Sequence, residues 1–255
     1  MNEYRPHIAV VGASGAVGEV MLSILAERGH REDRVTALAS ERSAGGDVDF
    51  GNTRLTIEDL ATFDFSGIDY ALFSAGGSVS EAFAPKAAAA GAIVIDNTSA
   101  FRYIDDIPLV VPEVNAHALK DIRPGAIIAN PNCSTIQMVV ALAPIQCEVG
   151  IARINVATYQ SVSGAGAGGL RELAEQTAAR LTFKEPELKQ FAQPIAFNCL
   201  PQIDSMQDNG YTREEMKMVW ETQKIFEDPE VLVNATAVRV PVFFGHSEAV
   251  HLETR

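Results

Sequence analysis

The stretch "HIAVVGASGAVGEVMLSILAERGH", residues 7–30, decides the fold. A short apolar run, His7 to Gly12, ends in glycine. Val17, Val20, Met21, Ile24 and Leu25 then recur at helical spacing, and Gly29 supplies a stop. Between run and helix lie Gly12, Gly15 and Gly18. Glycine there permits a tight turn and lets backbone N–H groups approach a pyrophosphate at the positive end of the helix. The expected dinucleotide contacts are Gly12, Ala13, Ser14, Gly15, Ala16, Val17 and Gly18. A purely structural tight turn is the alternative.

Working outward, "VTALAS" (35–40), "YALFSA" (70–75) and "AIVIDN" (92–97) read as further short strands, with an Ala-rich helical stretch between the last two. "PLVVPEV" and "GAIIANP" follow. Short buried strands alternating with helices imply a parallel sheet covered on both faces. After about Gly150 the texture changes. "INVATYQ" alternates as a strand with one exposed face, and "LRELAEQTAARL" is helical. Residues 183–210 show little periodicity and read as a long excursion. "TREEMKMVWETQKIF" begins with a capping box, Thr212 with Glu215, and "LVNATAVRVPVFFGHSEAVHLET" reads as strands. The expected architecture is α/β: a Rossmann-like parallel-sheet nucleotide domain over residues 1–131, then an α+β catalytic and dimerisation domain over 132–255.

The chain has 255 residues, is 47% hydrophobic and carries a net charge of −13. That charge argues against nucleic acid as the main partner, because phosphate binding along a nucleic acid needs a basic surface. No apolar run approaches the roughly 18 residues that span a bilayer, so no membrane role is expected. The first residues do not read as a signal peptide. Cys133, Cys147 and Cys199 are an odd set without C-x-x-C spacing, which disfavours a disulfide framework or a zinc site. No metal is expected, and a reducing cytoplasm is the natural setting.

Two further segments carry chemistry. The second strand ends in "ASERSAGG", residues 39–46, where an NAD site usually places an acidic residue on the ribose. Ser40, Arg42 and Ser43 suit a 2′-phosphate better, so NADP is the expected cofactor; Glu41 is the contrary note, and a solvated polar loop the bland reading. In "NPNCSTIQ", residues 130–137, Cys133 follows a strand and precedes a helix expected to begin at Ser134. Unpaired N–H groups and a partial positive charge at a helix N-terminus favour thiolate, the reactive form. By itself the segment reads better as an inert buried thiol. Cys147 and Cys199 lack the arrangement and are expected in the core.

Taken in order, "GASGAVG", "ASERSAGG", "NTSAFR", "PLVVPEVN", "NPNCSTIQ", "TYQSVSGAG", "TREEMKMVWETQKI" and "VRVPVFFGHSEAV" resemble the aspartate-semialdehyde dehydrogenases across nearly the whole chain. The related N-acetylglutamyl-phosphate reductases share the nucleotide turn but differ around the cysteine. The resemblance implies NADPH-dependent reduction of L-aspartyl 4-phosphate to L-aspartate 4-semialdehyde with release of phosphate, a step toward lysine (through diaminopimelate), methionine and threonine. It implies Cys133 as nucleophile, His246 as acid/base and Gln160 beside the cysteine. It implies Arg239 on the substrate α-carboxylate, Glu214 on the α-amino group, and Arg102 and Lys217 on the phosphate, with Asn132 close by. Glu214 and Lys217, three apart on a helix, share a face in any case; a surface ion pair is the bland alternative. A homodimer or tetramer is implied for the complete protein.

Family members continue past the histidine segment, whereas this chain ends at Arg255. The expectation is therefore a C-terminally incomplete chain with little activity of its own, or one that only binds nucleotide or a partner subunit.

Overall fold

The computed structural model describes residues 5–255, which divide into two compact units, the first ending at Pro131 and the second Asn132–Arg255. In the first unit the opening stretch forms strand β1 (Ile8–Val11), a glycine turn and helix α1 (Ala16–Glu27). Strands β2 (Val35–Ala39), β3 (Asp47–Phe50), β4 (Thr53–Asp59) and β5 (Tyr70–Phe73) follow. Helix α2 (Gly77–Ala89), strand β6 (Ile93–Asp96), the single-turn helix α3 (Pro112–Asn115) and strand β7 (Ile127–Ala129) complete it. The sheet order is β3-β4-β2-β1-β5-β6-β7. Strand β1 pairs in parallel with both β2 and β5. The strand order therefore reverses beside β1, and the carboxyl ends of β1, β2 and β5 open a crevice of the kind that holds ligands in such sheets.

Two details depart from the sequence reading. The sheet is not wholly parallel, because β3 and β4 form an antiparallel hairpin at its edge, turned by Gly51 at φ +59°. Helix α1 also buries a different stripe from the expected one. Gly18, Leu22 and Leu25 face the sheet, whereas Val17, Val20 and Ile24 are exposed. Gly18 sets the rotation. A Cβ on it would lie 2.1 Å from the Gly12 carbonyl oxygen, so only glycine lets the helix press this close to the turn. Met21 packs beside the cluster of Ile8, Val10, Leu22 and Leu25. Full burial of a side chain such as Leu22 contributes about 2 kcal/mol.

The second unit begins with helix α4 (Cys133–Val149), strand β8 (Ile151–Gln160) and helix α5 (Gly166–Leu181). An excursion without regular helix or strand leads to helix α6 (Arg213–Phe226), then strands β9 (Leu232–Arg239) and β10 (Ser247–Thr254). The three-stranded sheet has β8 in the centre, parallel to β9 and antiparallel to β10. Helices α4 and α6 cover one face through Met138, Leu142 and Met218 against Ile154, Val156 and Ala235. The other face, which carries Tyr159 and Leu232, is exposed.

The expected capping box starts α6. Thr212 Oγ1 accepts from the Glu215 N–H at 3.3 Å, and Glu215 Oε2 accepts from the Thr212 N–H at 2.6 Å. Glu215 Oε1 also accepts from the Ala237 N–H at 3.0 Å, so one carboxyl group both caps α6 and docks it on β9. Among the described residues no helix is long and apolar enough to cross a membrane.

Candidate active site

Helix α4 starts one residue earlier than expected, at Cys133, with Asn132 as N-cap. The Asn132 backbone is extended (φ −62°, ψ 146°), and its Oδ1 accepts from the N–H groups of Ser134 at 2.9 Å and Thr135 at 3.4 Å. Cys133 therefore occupies the first helical position, and its thiol is exposed. Cys147 and Cys199 are also exposed, contrary to the expectation that they lie in the core. Cys147 falls on the outer face of α4, and Cys199 on the excursion that runs over the surface.

Around this turn α6 and β8 assemble a polar cluster. Asn132 Nδ2 donates to Glu214 Oε1 at 2.9 Å, and Gln160 Nε2 donates to the same oxygen at 3.2 Å and to Ser134 Oγ. Gln160 is 1% exposed and its Oε1 has no hydrogen-bond partner among the described residues. Lys217 Nζ donates to Glu214 Oε2 at 2.9 Å and to Asp204 Oδ2 at 2.8 Å. Burial pushes the Glu214 carboxyl up, but Lys217, Asn132 and Gln160 outweigh it and the group ends below its ordinary value. Burial likewise pulls Lys217 down, and Glu214 with Asp204 holds its ammonium above the usual range.

Arg239, at the end of β9, is 8% exposed, and its Nη1 donates to the Ser161 carbonyl at 2.8 Å. A Cβ on Gly164 would lie 2.8 Å from that Nη1, so glycine there leaves the guanidinium its space. Burial lowers the Arg239 pKa, opposed first by the Glu214 carboxylate and then by the thiol of Cys133. His246 precedes β10; its Nδ1 accepts from the Ser161 N–H at 3.0 Å and lies 3.2 Å from Ser161 Oγ. Burial, and then the Arg239 charge, depress the imidazole pKa, so its neutral form is favoured. Cys133, Gln160, Glu214, Lys217, Arg239, His246 and Asn132 thus belong to one connected neighbourhood of the second unit.

The sequence reading missed four participants. Ser134 lies next to the cysteine and Ser161 next to the glutamine, inside quoted segments whose other members drew the attention. Asp204 sits at φ +69° on the excursion, and Glu221 acts across a long sequence gap. Neither has a local pattern that could have found it.

In the first unit Arg102 is 6% exposed on the loop after β6, and its Nη2 donates to the Asn97 carbonyl at 3.0 Å. A cavity of about 510 Å³ opens at the carboxyl ends of β1, β2 and β5. Of the expected cofactor residues, Gly12, Ser14, Gly15, Ser40 and Arg42 line it. Ser43 meets Ser14 through their hydroxyls at 3.3 Å. Ala13 and Gly18 are buried in packing, Ala16 opens α1, and Val17 is exposed. Glu41, the contrary note in the sequence, lines the cavity as well, and so do Asp59 and Ser74, which were not anticipated. Gly12 has φ +93°, and a Cβ there would lie 2.9 Å from the Ser74 backbone, so the turn is open only to glycine. A nucleotide fits this cradle of small residues at a helix N-terminus.

Two family models match the chain: the semialdehyde dehydrogenase NAD binding domain over residues 7–122 and the semialdehyde dehydrogenase dimerisation domain over residues 142–255. Aspartate-semialdehyde dehydrogenase 2 of Vibrio cholerae is 61% identical over 249 residues, spanning 98% of this chain and 74% of the relative. The chain belongs to the aspartate-semialdehyde dehydrogenase family. The Legionella pneumophila aspartate-semialdehyde dehydrogenase is 59% identical, over 98% of this chain and 72% of its own length. The solved structure of Vibrio cholerae aspartate semialdehyde dehydrogenase II complexed with ASA superposes with a TM-score of 0.96 at 59% identity, covering 99% of this chain and 75% of that one. A probable aspartate-semialdehyde dehydrogenase of Pseudomonas aeruginosa gives 0.93 at 34% identity. Membership brings the coarse chemistry, an oxidoreductase acting on an aldehyde with a domain for a nicotinamide dinucleotide.

Proposed function

We propose that this chain catalyses the NADP-dependent reductive dephosphorylation of L-aspartyl 4-phosphate to L-aspartate 4-semialdehyde, through a thioester on Cys133, in the biosynthesis of lysine, diaminopimelate, methionine and threonine. The observation that carries the reading is Cys133 at the first position of α4, exposed, within the electrostatic reach of Arg239. A helix N-terminus and a nearby guanidinium both favour thiolate.

In the biosynthetic direction Cys133 Sγ attacks the acyl carbon, the bond from that carbon to the phosphate oxygen breaks, and a thioester forms as inorganic phosphate leaves. His246, kept neutral by burial and Arg239, accepts the thiol proton. The nicotinamide cofactor, when bound, supplies the hydride that reduces the thioester carbon. The oxyanion of the thiohemiacetal takes its proton from His246; as the C–S bond breaks, the hydroxyl returns that proton to the histidine and leaves aldehyde and thiolate. Gln160 offers its Oε1, unpartnered among the described residues, and its amide beside the reacting carbon.

Arg239 presents a planar fork to the α-carboxylate, and Glu214 a carboxylate to the α-amino group. Lys217, with Asn132 nearby, serves the phosphate; Arg102 takes the same role on the strength of the resemblance. Gly12, Ser14 and Gly15 would hold the pyrophosphate, and Ser40 and Arg42 a 2′-phosphate, which favours NADP over NAD despite Glu41. The open sheet face with Tyr159 and Leu232 would pair subunits in a homodimer or tetramer.

The test is phosphate-dependent reduction of NADP with L-aspartate 4-semialdehyde and, in parallel, with N-acetylglutamate semialdehyde. Turnover with the first alone is expected. Turnover with the second alone would assign the chain to the sister reductases.

A further inference from the structure

Helix α4 has half of a capping box. Its N-cap, Asn132, covers the N–H groups of Ser134 and Thr135. In a complete box the residue three positions on returns a carboxylate to the N-cap N–H. Here that residue is Thr135, which has none to give. The missing group arrives from another helix: Glu221 Oε2 accepts from the Asn132 N–H at 2.6 Å, across 89 residues of sequence.

Glu221 is 0% exposed, two turns beyond Glu214 on the same face of α6. Asn132 is thereby held at every polar atom. Its N–H is taken by Glu221, its Nδ2 by Glu214, its Oδ1 by the helix, and its carbonyl by the Ile136 N–H at 2.9 Å. Both side chains that reach Asn132 from α6 are carboxyl groups, Glu221 and Glu214.

We propose that Glu221 is a positioning residue for the nucleophile: it completes the capping box of α4 from α6, and so fixes the backbone on which Cys133 meets the helix N-terminus. The proposal rests on the reading of Cys133 as an activated thiol. Glu221 acts through the Asn132 N–H. Without its carboxyl group the buried N-cap N–H loses its acceptor, and the turn that carries Cys133 loses one of its anchors.

The same domain offers a control. Glu172, 2% exposed on α5, also clamps backbone N–H groups, those of Lys189 at 3.1 Å and of Gln190, but holds the excursion rather than the cysteine turn. Loss of either carboxyl group removes a buried hydrogen-bond acceptor and lowers stability. Only loss of Glu221 is expected to change the thiol.

The experiment is alkylation of the full chain by iodoacetamide across pH 5.5–9, followed peptide by peptide with mass spectrometry. Cys147 and Cys199, both exposed, serve as internal references. In wild type Cys133 reacts with a midpoint below those of the two references. Glu221→Ala is expected to slow Cys133 at pH 7 by about three- to tenfold, the size of effect a helix terminus exerts on a neighbouring charge. Glu172→Ala is expected to leave the rate unchanged. Glu221→Asp, one methylene too short to keep the 2.6 Å contact, is expected to slow it at least twofold and serves if the alanine variant does not fold. A folded Glu221 variant with the wild-type Cys133 profile overturns the proposal, as does equal slowing by Glu172→Ala. Wild-type Cys133 titrating with Cys147 and Cys199 would instead sink the parent reading.

Discussion

Glu248 offers a stability test whose sign and size follow from its surroundings. It lies on β10, two residues past His246, opposite Thr158, which is 0% exposed on β8. Gln137 Nε2, on α4, donates to its Oε1 at 2.8 Å. Burial pushes the carboxyl up to about 7 from 4.5, and the Gln137 bond offsets only part of this. A carboxyl group whose folded pKa is raised binds its proton more tightly in the native state. Its stability contribution is therefore complete below about pH 4.5 and is lost as pH rises through about 7. A shift from 4.5 to about 7 corresponds to a ceiling of roughly 3.4 kcal/mol at 1.36 kcal/mol per unit. The side chain is only half-buried, and solvent screening reduces this to about 1–2 kcal/mol. Glu248→Gln keeps an acceptor for Gln137 and never ionises. Relative to wild type it is expected to gain about 1–2 kcal/mol between pH 5 and pH 8, or about 2–6 °C in Tm for a domain of this size. Urea unfolding followed by the single tryptophan, Trp220 on α6, reads the unit that contains Glu248. A stability difference between variant and wild type that is the same at pH 5 and pH 8 would refute the reasoning.

Two further predictions concern the first unit. Arg42→Ala is expected to weaken NADPH by about ten- to a hundredfold, the range of a lost charge-assisted bond, while NADH changes less than threefold; equal losses in calorimetric titrations would remove the 2′-phosphate role. Gly18→Ala forces a Cβ to within 2.1 Å of the Gly12 carbonyl oxygen. It is expected to cost at least about 1–3 kcal/mol and to weaken nucleotide binding as the turn shifts, and a thermal midpoint within a degree of wild type would show that the turn yields freely.

What the sequence disclosed was local. Glycines at 12, 15 and 18 marked the turn because only glycine fits the contacts at Gly12 and Gly18. Thr212 with Glu215, and Glu214 with Lys217, are three apart, and a helix brings such pairs together whatever surrounds it. The hairpin of β3 and β4 was readable in retrospect, since "DVDFGNTRLTIED" alternates around a Gly-Asn turn. The rotation of α1 was less accessible. Val17, Val20 and Ile24 make as good an apolar stripe as Leu22 and Leu25, and the choice between them is made by the clearance at Gly18. Glu221 and Asp204 were out of reach, because contacts across 89 residues, and across 13 from an irregular excursion, leave no trace in spacing. Cys147 and Cys199 were misplaced by composition alone, which favours burial of cysteine on average.

The account turns on a covalent bond to one sulfur. Mixing the chain with L-aspartate 4-semialdehyde and NADP, without phosphate, leaves the acyl group nowhere to go, and mass spectrometry of the digest reads its location. The expected result is a β-aspartyl thioester on the peptide containing Cys133, absent in Cys133→Ala and discharged when phosphate is added. An adduct confined to Cys147 or Cys199, or phosphate-dependent NADP reduction that persists in Cys133→Ala, would contradict it.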